Sequence, residues 1–152
     1  MLKPGYTFIT ALKIALIGIA LIVAGRPGLA ATVVHVMLQD PSTESGIVKM
    51  QIVVQPDRVM AGRVTFDVEN QSKKLIHEML LLKQPSGGSL PYDSKTQRVV
   101  EAKIVKFVDV DDIKPGASVR KTVTLQPGVY EIICNEPGHY AQGMKTMFTI
   151  TR

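Results

Sequence analysis

The sequence predicts an all-β domain, a sandwich or a barrel, and three observations carry that expectation. Short β-branched runs recur from residue 32 onward. One of them, Arg63 to Glu69, alternates strictly between apolar and polar. Pro/Gly turn signals separate one run from the next.

In chain order, Thr32 to Leu38 (TVVHVML) is a β-branched run. Val48 to Val54 (VKMQIVV) alternates in part and is broken by Gln55-Pro56-Asp57. In Arg63 to Glu69 (RVTFDVE), Val64, Phe66 and Val68 share one face and Arg63, Thr65, Asp67 and Glu69 the other. The polar stretch Asn70 to Lys74 ends that strand, and Ile76 to Leu82 (IHEMLLL) follows. Pro85 to Pro91 (PSGGSLP) is a loop by composition. Ser94 to Gln97 fits the Ser-x-x-Gln capping box ahead of Val99, Val100 and Ala102, which predicts a short helix over 95–103 within the stretch 83–112. Ile104 to Val110 reads as a strand, and Lys114-Pro115-Gly116 as a turn. Val119 to Leu125 alternates again, with Val119, Lys121, Val123 and Leu125 on one side. After the turn at Pro127-Gly128, Val129 to Cys134 and Thr146 to Thr151 are the last two strands. There is no internal repeat and no low-complexity segment.

At 152 residues the chain has room for one domain. Its first thirty residues differ from the rest. Lys3 and Lys13 make a basic start, Ile14 to Ala24 (IALIGIALIVA) is uncharged and apolar, and Gly28-Leu29-Ala30 is a small-residue exit. That order predicts a secretory signal over 1–30, cut after Ala30, and a mature domain over 31–152. The apolar run falls short of the roughly 20 residues a membrane-spanning helix needs, so a retained anchor is the weaker reading. Export to the periplasm or another part of the cell envelope is therefore expected. Removing Lys3, Lys13 and Arg26 takes the formal charge from +5 to +2. With scattered charge, no basic run longer than a pair such as Lys73-Lys74, and no Trp, a nucleic-acid partner is set aside. The lone Cys134 cannot form an internal disulfide, so in an oxidising compartment it must be buried, liganded or paired with another molecule.

The chemistry concentrates in residues 130–144, YEIICNEPGHYAQGM, where Cys134, His139 and Met144 stand at Cys-x4-His-x4-Met. A soft thiolate, imidazoles and a weak thioether together suit copper in both its oxidation states. Pro137-Gly138 turns the chain before His139, and Gly143 permits a second bend before Met144. One further ligand must come from elsewhere, and two histidines remain. His77 begins a strand, where it can face a loop at the same pole of a sandwich. His35 lies mid-strand and reads as structural. Met79 and Met147, though near the ligands in sequence, read as core or rim. Lys73, Lys74 and Lys145 read as a solvated rim that would favour an acidic partner if it surrounds the site.

Residues 62–79 (GRVTFDVENQSKKLIHEM) and 114–151 resemble the cupredoxins, the small blue-copper family. The ligand spacing is similar to that of its auracyanin and rusticyanin members, and HEM and PGHYAQGM resemble bacterial cupredoxin-like copper-binding proteins. The resemblance implies an eight-stranded Greek-key sandwich. It implies one copper in a trigonal site of His77, Cys134 and His139 with Met144 axial, and an electron port at the outer edge of His139. It departs at Glu78, where plastocyanin and azurin have Asn after the first histidine, so no redox value carries over.

The expected function is that of an exported, monomeric carrier of single electrons between redox proteins. A copper-binding protein of the cell envelope, using the same ligands for copper homeostasis, is the alternative, and it lacks the extra Met- or His-rich segments such proteins often carry. An enzyme is not expected. A multicopper oxidase needs about eight further histidines around its copper cluster, and the chain has three in total.

Overall fold

The computed structural model describes residues 30–42, 49–85 and 87–152. The signal expected over 1–30 lies outside them except for Ala30. Among the described residues, no helix is long and apolar enough to cross a membrane.

The described chain is a β-sandwich. One sheet holds β1 (Thr32–Ser42), β2 (Lys49–Gln55), β4 (Gly62–Asn70) and β9 (Ser118–Leu125), in the order β2-β1-β4-β9. The other holds β3 (Arg58–Met60), β5 (His77–Lys83), β8 (Lys106–Ile113), β10 (Gly128–Ile133) and β11 (Lys145–Thr151), in the order β3-β11-β10-β5-β8. β1 runs parallel to β4 and β3 parallel to β11, while the remaining pairs in both sheets are antiparallel. All eight strands expected from the sequence are present. The three that were not foreseen are β3, β6 (Tyr92–Asp93) and β7 (Arg98–Val99), each only two or three residues long.

Alternation explains the main core. Val64, Phe66 and Val68 of β4 point inward and are fully buried, as are Val34, Val36 and Leu38 of β1. They meet Met79, Leu81, Ile132, Phe148 and Ile150 of the second sheet. The Phe66 and Phe148 rings pack edge to face at 5.4 Å between centroids.

β5 and β10 break that alternation, and the reason is structural. His77 through Leu82 are all buried, as are Tyr130 through Ile133. These strands are covered on both faces. Met79 and Leu81 face the main core. Leu80, Leu82 and Ile133 face a second cluster with Leu90 and Val99, to which Ile104 and Tyr140 add. The stretch between β5 and β8 is thus a cover over the outer side of the second sheet.

The helix expected over 95–103 does not form. Its place is taken by the β6–β7 hairpin and a short 3-10 turn, Glu101–Lys103. Asp93 is the cause. Its carboxylate accepts the Lys95 N–H at 2.9 Å and the Thr96 hydroxyl at 3.0 Å, closing a turn where a capping box would open a helix. Gln97 then takes a left-handed φ of 56°, which reverses the chain.

Candidate metal centre

His77 opens β5, and Cys134 directly follows β10, the neighbour of β5 in the sheet. His139 and Met144 lie on the loop from β10 to β11. That loop is folded by its own backbone: Cys134 N–H donates to Met144 O, Met144 N–H to His139 O, and His139 N–H to Glu136 O, each at 3.0 Å. The bends expected at Gly138 and Gly143 are there, with φ of 84° and 95°, values that glycine adopts without penalty. At Gly143 a side chain would also have to push aside the Lys49 side chain, whose Cε lies 2.9 Å from where the Cβ would stand.

Three donor atoms converge at this pole. His77 Nδ1 lies 3.2 Å from His139 Nδ1, and Cys134 Sγ lies 3.3 Å from His139 Nδ1 and 3.8 Å from His77 Nδ1. Bonds of about 2.0–2.3 Å, usual for imidazole nitrogen and thiolate on a first-row metal ion, would set three donors in a plane roughly 3.5–4 Å apart. The triangle therefore suits one ion. His77 and Cys134 are fully buried and His139 is half-buried. Met144 is also fully buried, in the same core cluster as Cys134.

Burial governs the electrostatics. It pushes the Cys134 thiol up to about 12, against the pull of the Glu78 and Glu136 N–H groups, which point at the sulfur. Burial also pushes both histidines below their ordinary value, with Asp40 opposing this at His77 and His77 reinforcing it at His139. Neutral imidazoles with free lone pairs are what a metal requires, and a bound cation would displace the thiol proton. The Glu78 carboxyl is raised to about 7, first by burial and then by the charge of Glu136, while the Asn135 N–H pulls it down. Its Oε1 is buried with no partner among the described residues.

No family model and no curated protein matches the sequence. Solved structures do share the fold. An auracyanin from Roseiflexus castenholzii, reduced with dithionite, aligns over 81% of this chain and 98% of its own, with a TM-score of 0.55 at 18% identity. A rusticyanin aligns over 80% of this chain and 79% of its own, with a TM-score of 0.57 at 19% identity. Auracyanin A, described as a "blue" copper protein from the green thermophilic photosynthetic bacterium Chloroflexus aurantiacus, aligns over 80% and 100%, with a TM-score of 0.55 at 16% identity. The fold is that of the cupredoxins.

Within this cupredoxin fold, His35 is not one of the converging donors. It lies on the exposed side of β1, 3.7 Å from Asp67, which Arg120 holds at 2.8 Å. Met79 is core and Met147 is exposed rim. Lys73, Lys74 and Lys145 are exposed, and the Lys145 ammonium sits 4.1 Å above the Tyr140 ring.

Sequence reasoning missed the groups that brace the centre. Buried Asn135 accepts the Val99 N–H at 2.6 Å and donates to Val99 O at 3.0 Å and to Glu101 at 2.9 Å. Arg98 pairs with Glu136 at 3.0 Å, and Gly138 N–H donates to Gln97 O. The β6–β7 hairpin thereby clamps the loop that carries Cys134 and His139. Asp40 reaches His77 Nε2 at 3.3 Å. Nothing in the spacing of the chain signals these partners, since each is more than thirty residues from the group it contacts.

Proposed function

We propose that this chain is an exported blue-copper protein that carries single electrons, its copper held by His77, Cys134, His139 and, more weakly, Met144. The observation that carries this reading is the convergence of one buried sulfur and two imidazole nitrogens on one point, with a buried thioether in the same loop. A thiolate with imidazoles and a weak axial thioether is the donor set of blue-copper centres, whereas zinc sites draw on Cys, His and carboxylates. Copper bound there would supply the Cu(I)/Cu(II) couple.

The protein's part is to hold the donors still. His77 opens β5 and Cys134 follows its neighbour β10, and the loop to Met144 is braced by its internal backbone bonds and the β6–β7 clamp. A frame of this kind limits rearrangement when an electron arrives or leaves. His139 alone of the three convergent ligands has partial exposure, which makes its outer edge the port for the electron. Exposed Lys73, Lys74 and Lys145 favour a redox partner with an acidic face. The chain works as a monomer in the periplasm or elsewhere in the cell envelope, delivered there by residues 1–30, and it catalyses no reaction of its own.

Optical and spin-resonance spectra of the copper-loaded domain test this. The expected result is an intense thiolate-to-copper band in the visible, fast reversible reduction, and loss of the band in Cys134→Ser. A colourless copper complex would overturn the reading. A blue complex that does not cycle would assign the same ligands to copper homeostasis.

A further inference from the structure

Among the described residues, Asp40 is the carboxylate that contacts the donor triangle from the opposite sheet. It sits near the end of β1, in the sheet that carries neither histidine of the centre. Its Oδ1 lies 3.3 Å from His77 Nε2, a long hydrogen bond, while His77 Nδ1 faces Cys134 and His139. Its Oδ2 accepts the Ser72 hydroxyl at 2.8 Å. The Ser72 oxygen in turn accepts the N–H groups of Lys74 and Leu75, at 3.0 and 2.7 Å, so the carboxylate is held on both oxygens.

We propose that Asp40 is a positioning residue for the metal: it fixes His77 in the tautomer with the proton on Nε2, leaves the Nδ1 lone pair for the ion, and biases the centre toward its oxidised state. The chemistry is direct. Carboxylate oxygens only accept, so an imidazole nitrogen beside one carries the proton, and the other nitrogen is left bare. A ligating imidazole that donates to a carboxylate is more basic and better oriented. The negative charge adds to this. It favours Cu(II) over Cu(I), because the more highly charged ion gains more from it. The Asp40 side chain is 36% exposed, so its charge is screened in part but not silenced.

This inference rests on the copper reading, and the test separates the two. Asp40→Asn keeps an acceptor and removes the charge, whereas Asp40→Ala removes both. Glu69→Gln removes a carboxylate from neighbouring β4, where Glu69 is exposed and bonded to Gln71, and serves as the control for charge alone. In the metal-free protein, nitrogen-15 shifts of the His77 ring should report the Nε2–H tautomer in the parent and a mixture in Asp40→Ala. With copper, Asp40→Ala should bind Cu(II) about 10–100-fold more weakly, with Cu(I) affected less. Each tenfold gap between the two states raises the potential by about 59 mV. Asp40→Asn should raise the potential while keeping the spectrum, and Glu69→Gln should change neither. An unchanged tautomer in Asp40→Ala overturns the proposal even if the protein never turns blue. In a blue protein, a shift in Glu69→Gln as large as in Asp40→Asn overturns it too. A colourless parent with the expected tautomers would instead count against the copper reading and leave the role of Asp40 supported.

Discussion

Burial shifts the acids and thiol of this protein in one direction and surface pairing shifts them in the other. Asp67, at the surface, is lowered because the Arg120 guanidinium donates to it. Glu131, on β10, is raised because burial outweighs the charge of Lys145 and the hydroxyl of Tyr140. The folded chain therefore holds the Glu131 proton more tightly than the unfolded chain does. The stability linked to it is fully present below the ordinary carboxylate range and is lost as pH rises through the folded value. Glu131→Gln should accordingly be more stable than the parent at pH 7, with the gain shrinking toward pH 4. Urea midpoints across that range measure it, and a parent more stable at pH 7 would show that Lys145 outweighs burial. Residue by residue, the loop was legible because its signals are local: Cys134, the turn at Gly138, His139, the bend at Gly143. Asp40 was not, because 37 residues separate it from His77.

At the scale of elements, β5 is the strand on which fold and site both depend. It carries His77, and the two faces of its apolar run serve two cores. Leu81→Ala and Leu82→Ala should each cost about 2–5 kcal/mol, the usual range for a buried leucine, yet with different consequences. Hydrogen exchange should show Leu82→Ala loosening residues 90–104 while β4 and β9 stay protected. Leu81→Ala should lower protection throughout the sandwich. A uniform loss in both variants would mean that the cover and the sandwich are one cooperative unit. The unbroken apolar run of β5 was visible in the sequence as a departure from alternation. What would cover its second face was not, since the hairpin that does so consists of two strands too short to carry a periodic signal. The helix expected there gives way to a turn centred on Asp93, whose carboxylate takes the Lys95 N–H and the Thr96 hydroxyl.

For the molecule as a whole, the centre exists only when the fold does. The sulfur of Cys134 and the ring of His77 meet across a separation of 57 residues, and Asp40 joins them from the other sheet. Binding energy at such a centre is folding energy. Copper in thousandfold excess over its dissociation constant should stabilise the fold by about 4 kcal/mol, less whatever the unfolded chain binds. Thermal unfolding with copper, and again after chelation, measures this. An unchanged midpoint would mean that the donors do not act together on an ion.

The sequence alone determined the eight principal strands and the loop that bears three candidate ligands, and it favoured His77 over His35 as the fourth. The strands and the loop were read from periodicity, turn chemistry and spacing, all within about fifteen residues, whereas the preference for His77 came by elimination and from the family resemblance. Tertiary structure alone decided what surrounds the ligands: Asp40 behind His77, Asn135 holding the hairpin, Glu78 left buried beside the sulfur. The physical reason is that hydrogen bonds and burial at the centre join parts of the chain thirty to sixty residues apart, and only sheet packing brings them together.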